Sequence, residues 1–236
     1  MITFTNGALF IEGKWMTGLD LKVEGGKIIG LVPSRTGDVK SSVSDESDEG
    51  IVDAKDSYIV PGFIDIHIHG SYGADVMDAS IDSLKNISAY LAKNGTTSYL
   101  ATTMTCGKDD IQKSIKTVSQ YIKEYNGSGA KILGVHMEGP FINPLVKGAH
   151  DEEHIKSPSV KVFKEIVKDD ADIIRLVTIA PELEGAQELA YYLKENNIAA
   201  SIGHTAAGYD TAKSAIATGM NHTCHFYNDL VLDLRE

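Results

Sequence analysis

After Pro61-Gly62, short apolar segments alternate with longer segments whose apolar residues recur with the period of an α-helix. This alternation is compatible with few folds. The apolar segments are FIDIHIHG, TTSYLATT, ILGVHMEG, IIRLVTIAPE, AASIGHT and NHTCHFYN. The helical segments lie near residues 80–94, 108–125, 159–169, 185–196 and 208–218. Strands that alternate with helices pair in parallel through right-handed crossovers. A closed (β/α)₈ barrel needs eight strands, and about six are predicted here. We therefore predict an α/β fold in which residues 57–236 form an incomplete TIM-type barrel of about six β/α units.

Residues 1–56 have a different pattern. Apolar and polar residues alternate with period 2, and Asn-Gly and Gly-Gly pairs favour hairpins between short strands. We predict a small β module here, ahead of the barrel. Within it, the segment 41–50 (SSVSDESDEG) is polar and acidic, which is typical of an exposed and mobile loop.

The charge and the cysteines exclude several classes of protein. A formal net charge of -11 disfavours broad attraction to nucleic acid or to an anionic membrane surface, so an anionic substrate needs a local cluster of donors. The two cysteines, Cys106 and Cys224, have neither a paired zinc spacing nor a disulfide framework. No signal-peptide pattern and no long apolar run is present. We predict a cytoplasmic protein with no nucleic-acid or membrane partner.

Four histidines and one glutamate fall at the ends of predicted strands. His67 and His69 end the first strand, and because residues i and i+2 share a face of a strand, both imidazoles can point to one place. Glu138 ends the third strand, His204 the fifth and His225 the sixth. The carboxyl ends of barrel strands meet at one mouth, where TIM-type barrels place their active sites. We therefore predict that all five surround one metal site.

The residue types indicate the kind of metal. Imidazole and carboxylate are suitable ligands for Zn²⁺ or Fe²⁺, and a carboxylate can bridge two cations. We predict one or two divalent transition-metal ions, most simply zinc or iron, that activate a water molecule for hydrolysis. A lone histidine at a strand end is more often hydrogen-bonded or exposed, so the prediction depends on joint placement. We predict that His136 supports Glu138 without binding metal, and that His154 and His222 are not ligands.

The motifs PGFIDIHIHGSYGAD, GVHMEGPFINPLVKGAH, SIGHTAA and HFYND resemble those of the N-acetylglucosamine-6-phosphate deacetylases, in the amidohydrolase superfamily. The first motif marks only the superfamily, which also includes dihydroorotases, whereas HMEGPF with KGAH is more specific. The resemblance implies hydrolysis of N-acetylglucosamine 6-phosphate to glucosamine 6-phosphate and acetate. It also implies a barrel with a small β-sandwich, a homodimer at full length, a principal metal on the glutamate and the last two histidines, and a second metal where His-x-His is present.

The same resemblance implies the substrate contacts and the proton-transfer group. Contacts to the sugar phosphate carry over to Ala149 and His150 of KGAH, to Asn228 and Asp229, and to Arg235 for the phosphate. The family usually has a small residue in place of Asp229, and the spacing to Arg235 is one residue shorter than usual. The general acid/base aspartate of the family belongs to the eighth barrel strand. We expect it beyond Glu236, so the present chain should contain no catalytic residue of that kind.

The sequence is consistent with three hypotheses about function. The first is a deacetylase sequence that is truncated at its C-terminus. The second is a different amidohydrolase that acts on a cyclic amide or another N-acetyl sugar. The third is an inactive remnant that binds metal or a sugar phosphate.

Overall fold

The computed structural model describes residues 1–34, 50–226 and 228. The chain divides into two compact units, Met1–Gly62 and Phe63–Glu236. Most of the predicted acidic loop, residues 41–49, lies outside the described residues. Among those that are described, no helix combines the length and the apolar character that a membrane crossing needs.

The described part of the first unit contains seven short strands in two sheets. The strands are β1 (Ile2–Thr5), β2 (Ala8–Ile11), β3 (Lys14–Met16), β4 (Leu19–Glu24), β5 (Lys27–Pro33), β6 (Gly50–Asp53) and β7 (Tyr58–Ile59). One sheet has the order β5-β4-β1-β6 and the other the order β3-β2-β7. The predicted Gly-Gly hairpin is present, because β4 and β5 pair antiparallel across Gly25-Gly26 and both glycines have positive φ. Since β7 pairs with β2, the unit extends beyond residue 56 to Gly62.

The second unit is built on a six-stranded sheet. Its strands are β8 (Phe63–Ile68), β11 (Thr96–Thr103), β12 (Lys131–Glu138), β13 (Ile174–Ile179), β14 (Ala199–Ile202) and β15 (Met220–Thr223). A small antiparallel pair, β9 (Gly70–Ser71) and β10 (Ala74–Asp75), follows β8. The sheet order is β15-β14-β13-β12-β11-β8, and every neighbouring pair is parallel. Strand order therefore follows chain order, as in an incomplete TIM-type barrel.

Between Phe63 and Thr223, a range that the structure describes throughout, five α-helices connect the barrel strands. They are α1 (Ile81–Lys93), α2 (Lys108–Lys123), α3 (Val160–Val167), α4 (Ala186–Glu195) and α5 (Tyr209–Thr218). In α1, the Ser80 hydroxyl accepts the Ser83 N–H and begins the helix. Leu84, Ile87 and Leu91 recur at spacings of three and four residues and are buried in the core.

The pairing register brings the carboxyl ends of the strands to one edge. Glu138 of β12 pairs with Thr178 of β13. Ile202 of β14 pairs with Ile179 of β13 and with Thr223 of β15. Residues that follow these strands therefore lie side by side, as the predicted metal site requires.

Candidate metal centre

The carboxylate of Glu138 lies at the centre of a cluster of imidazoles. Its side chain is 1% exposed, and its Oε1 lies 2.8 Å from His225 Nε2, 3.2 Å from His204 Nε2 and 3.4 Å from His67 Nε2. Its Oε2 lies 2.9 Å from His69 Nε2. The structure thus brings all five predicted ligand residues together around one carboxylate.

The backbone turns sharply where two of these histidines leave their strands. His204 follows β14 with φ of 49°, and His225 follows β15 with φ of 54°. Residues other than glycine rarely adopt this left-handed region, and such strain is concentrated at functional sites. At both positions the turn directs the ring nitrogen Nε2 to Glu138.

Burial and the imidazoles act in opposite directions on the Glu138 carboxyl. Burial alone raises its pKa, but the imidazoles of His150, His204, His67 and His69 that surround the carboxylate outweigh burial and hold the pKa well below its usual range. Burial also lowers the pKa of His69, but the adjacent Glu138 carboxylate outweighs it and the net pKa of His69 is raised. The site therefore holds an ionised carboxylate among ring nitrogens, which is a donor set that suits a divalent cation.

The geometry of the donor atoms supports the same conclusion. Within the described residues, two groups have ligand atoms close enough to share an ion, and both include Glu138. One group adds His67, Cys224 and His225, and the other adds His150 and His204.

Comparison with known proteins gives the family. The model of the amidohydrolase family matches residues 58–233, which is most of the chain. The chain belongs to the amidohydrolase family. Membership of this family of hydrolytic enzymes implies a divalent metal, and the cluster around Glu138 provides suitable donors for one.

Named relatives of this amidohydrolase are sugar-phosphate deacetylases. The chain is 42% identical to the N-acetylglucosamine-6-phosphate deacetylase of Bacillus subtilis over 73% of its own length and 44% of the relative's length. It is 30% identical to the N-acetylgalactosamine-6-phosphate deacetylase of Escherichia coli O157:H7, over 94% of this chain and 55% of that protein. The chain thus spans about half the length of the curated relatives it matches.

A solved structure shows the same fold. The crystal structure of N-acetylglucosamine-6-phosphate deacetylase from Pasteurella multocida matches 97% of this chain and 57% of its own chain, with a TM-score of 0.83 and 29% identity. This likeness supports the incomplete TIM-type barrel predicted from the strand count.

His136 lies beside the cluster, but both of its ring nitrogens have other partners. Nδ1 lies 3.0 Å from the Ile66 carbonyl oxygen, which can only accept, so Nδ1 carries the hydrogen. Nε2 lies 2.8 Å from Thr178 Oγ1 and accepts the hydroxyl hydrogen. Burial, reinforced by the adjacent His67, lowers the pKa of His136 to about 3, so the ring is neutral. These contacts support the prediction that His136 is not a ligand.

The two other histidines that were predicted not to bind metal contact residues outside the cluster. His154 Nε2 lies 3.9 Å from Asp151 Oδ2 in the adjacent turn. His222 is exposed, and its Nδ1 lies 2.7 Å from Asn221 Oδ1. Neither residue belongs to the two donor groups found among the described residues.

The residues predicted to contact substrate are placed only in part. His150 is buried, and its Nε2 lies 3.4 Å from Glu138 Oε2, whereas Ala149 is exposed. The backbone N–H of Asn228 donates to the carbonyl of His225, so Asn228 follows directly on the cluster. Asp229 and Arg235 lie outside the described residues.

Sequence reasoning missed two residues at the site. Cys224 is 5% exposed, and its Sγ lies 3.4 Å from Glu138 Oε1. If the alternation of β15 continued past Thr223, Cys224 and His225 would point to opposite faces, but the positive φ of His225 lets both reach the same carboxylate. Glu182 carries a clearer signal, because it is a carboxylate just after the fourth barrel strand in the segment IAPE.

Glu182 organises the loop that carries His204. Its Oε1 accepts the Ala206 N–H at 2.7 Å and the Asn143 Nδ2 hydrogen at 2.8 Å, and its Oε2 accepts the Thr205 hydroxyl. The backbone N–H of Asn143 in turn donates to the carbonyl of His204. One carboxylate therefore ties the segment after β12 to the strained loop after β14.

Replacing Glu182 by Gln tests this organising role. The carboxylate accepts hydrogen bonds on both oxygens, whereas an amide has a donor group in place of one oxygen. One of the three donors, from Asn143, Thr205 or Ala206, must therefore lose its acceptor. We expect a loss of about 1–3 kcal/mol in the free energy of unfolding, together with weaker metal binding. Denaturant unfolding and metal titration measure the two effects. The matched control is Glu184→Gln, because Glu184 is an exposed carboxylate two positions away. Equal stability of both variants would contradict the role assigned to Glu182.

Proposed function

We propose that this protein is a metal-dependent hydrolase that removes acetate from N-acetylglucosamine 6-phosphate. The proposal depends on one observation: the Nε2 atoms of all four histidines predicted as ligands lie within 3.4 Å of the Glu138 carboxylate. The named relatives supply the substrate, because they act on acetamido sugars that bear a phosphate.

The metal is proposed to be Zn²⁺ or Fe²⁺, in one or two ions. We assign one position to His204, His225 and Glu138, and a second position to His67 and His69 with the same carboxylate. When bound, a divalent cation of this kind polarises the acetamide carbonyl and lowers the pKa of a bound water. The buried, ionised carboxylate and the surrounding ring nitrogens are a donor set that suits such a cation.

His150 is proposed to hydrogen-bond the substrate. The backbone N–H of Thr105 lies 3.2 Å from His150 Nδ1 and can only donate, so Nδ1 is an acceptor and Nε2 carries the hydrogen. That Nε2 faces the Glu138 cluster, where a donor would stabilise negative charge that develops on the acetamide oxygen. Ala149 and Asn228 flank the site in the chain, and with Asp229 and Arg235 they complete the proposed contacts to the sugar phosphate.

Acetate release from three acetamido sugars tests the proposal. The purified protein, reconstituted with zinc or iron, is incubated with N-acetylglucosamine 6-phosphate, N-acetylgalactosamine 6-phosphate and unphosphorylated N-acetylglucosamine. We expect acetate from the first substrate and far less from the unphosphorylated sugar, because the phosphate supplies binding energy. Equal turnover of the phosphorylated and unphosphorylated sugars would contradict the substrate assignment.

The same assay also tests two alternative functions. Preference for N-acetylgalactosamine 6-phosphate would favour the activity that the Escherichia coli relative is named for. Tight binding of metal or sugar phosphate without release of acetate would favour a binding protein. Titration calorimetry with each sugar phosphate distinguishes that outcome from an inert protein.

A further inference from the structure

Cys224 connects two members of the metal centre. Its Sγ lies 3.1 Å from Nδ1 of His67 and 3.4 Å from Oε1 of Glu138. The residue is buried, and its backbone N–H donates to the carbonyl of Ile202 on the adjacent strand. The sulfur is therefore held at a fixed position between an imidazole and the central carboxylate.

The sulfur contacts the ring nitrogen of His67 that faces away from the proposed metal position. His67 Nε2 is the nitrogen near Glu138, at 3.4 Å, and near Nε2 of His69, at 3.3 Å. The two nitrogens of an imidazole point in different directions, so a partner on Nδ1 leaves Nε2 open for a cation. Which nitrogen binds metal is set by the hydrogen bond that the other one makes.

His204 shows the same arrangement with an ordinary acceptor. Its Nδ1 lies 2.9 Å from the carbonyl oxygen of Val146, and its Nε2 lies 3.2 Å from Glu138 Oε1. A carbonyl cannot donate, so Nδ1 of His204 carries the hydrogen. At His67 the sulfur of Cys224 occupies the place that the carbonyl has at His204.

We propose that Cys224 is a positioning residue for His67. The Nδ1–H of His67 donates to the sulfur, and the thiol hydrogen is donated to Glu138 Oε1, which can only accept when ionised. Cys224 thereby holds His67 in the tautomer that presents the lone pair of Nε2 to the metal. The inference rests on the proposed function, since it concerns the same metal centre.

The first test compares the metal affinities of two variants that are changed at Cys224. Cys224→Ala removes both hydrogen bonds, and loss of such a supporting partner typically weakens metal binding by about 10–100-fold. Cys224→Ser keeps a group that accepts and donates, so its affinity should lie closer to that of the unaltered protein than to that of Cys224→Ala. The control is Cys106→Ala, at the other cysteine, which is outside both donor groups. Affinities are measured by competition with a chelator, using zinc alone. Equal affinity of Cys224→Ala and the unaltered protein would overturn the proposal.

Spectroscopy separates a positioning role from direct ligation and from simple packing. In ¹⁵N-histidine NMR spectra, assigned with a His67→Gln variant, His67 should show an Nδ1–H signal protected from exchange in the unaltered protein and in Cys224→Ser. In the cobalt-substituted protein, no sulfur-to-cobalt charge-transfer band should appear. Such a band, absent from Cys224→Ser, would make the sulfur a ligand and overturn the proposal.

These measurements do not depend on one variant or on activity. If Cys224→Ala does not fold, the serine variant and the cobalt spectrum of the unaltered protein still show whether Cys224 positions His67. If the unaltered protein binds no metal, the proposed function fails, and the tautomer of His67 in the metal-free protein still decides the role of Cys224. A hydrogen on Nε2 with a bare Nδ1 in that spectrum would overturn the inference.

Discussion

Replacement of Glu138 by Gln should lower metal affinity by more than about 100-fold, the upper end of the losses seen when residues that only support ligands are changed. The carboxylate is the one acidic group shared by both donor groups found in the described residues. An amide of the same shape carries no charge, so the surrounding imidazoles would face a cation without a compensating anion. Elemental analysis of purified protein and competition titration with a chelator measure the loss.

Two histidine substitutions serve as controls for Glu138→Gln. His136→Gln changes a residue on the same strand whose nitrogens are bonded to Ile66 and Thr178, so its metal content should fall less. His222→Gln changes an exposed residue and should retain full metal content. Equal loss from the variants at 138 and 136 would mean that the wrong residue of HMEG is assigned as the ligand.

Replacement of Gly203 by Ala should disrupt the metal centre through packing alone. A Cβ at this position would lie 2.6 Å from Cβ of Cys224 and 2.8 Å from Cγ2 of Thr178, which is closer than carbon atoms tolerate. The strain must shift the segment after β15 that contains Cys224 and His225. We expect a loss of about 1–3 kcal/mol in the free energy of unfolding, and metal affinity reduced by at least about tenfold.

Gly208→Ala is the matched control, because it adds the same methyl group after the same strand. Apart from the adjacent backbone, no heavy atom of the described residues lies within 4 Å of the Cβ that it would introduce. Gly208 begins α5, where alanine is a poorer cap than glycine, so a cost of up to about 1 kcal/mol in stability is expected. Metal affinity should stay unchanged. Equal metal affinity of the two alanine variants would show that Gly203 is not needed for the site.

The sequence predicted the barrel sheet because strand and helix periods alternate clearly along residues 57–236. It also predicted the convergence on Glu138, since the carboxyl ends of parallel strands must meet at one edge. The contacts of Cys224 could not be predicted, because the positive φ of His225 breaks the alternation on which such reasoning depends. The extent of the first unit was not evident either, since β7 joins it only by pairing with the distant strand β2.

His150 shows a different limit of sequence reasoning. The motif KGAH implied a substrate contact through resemblance alone, and nothing in its spacing indicated how close the ring lies to Glu138. The hydrogen bond from Thr105, 45 positions earlier, sets the tautomer of His150. Contacts between residues so far apart in the chain follow from the fold and not from local pattern.

Anomalous diffraction from crystals of the metal-loaded protein, collected at the absorption edge of the bound metal, shows whether the metal binds at Glu138. We expect a peak within about 2.0–2.2 Å of a Glu138 oxygen and of Nε2 atoms of the surrounding histidines. A second peak beside His67 and His69 would establish two ions. A stoichiometric metal whose only peak lies away from Glu138 would contradict the assignment of this cluster as the metal centre.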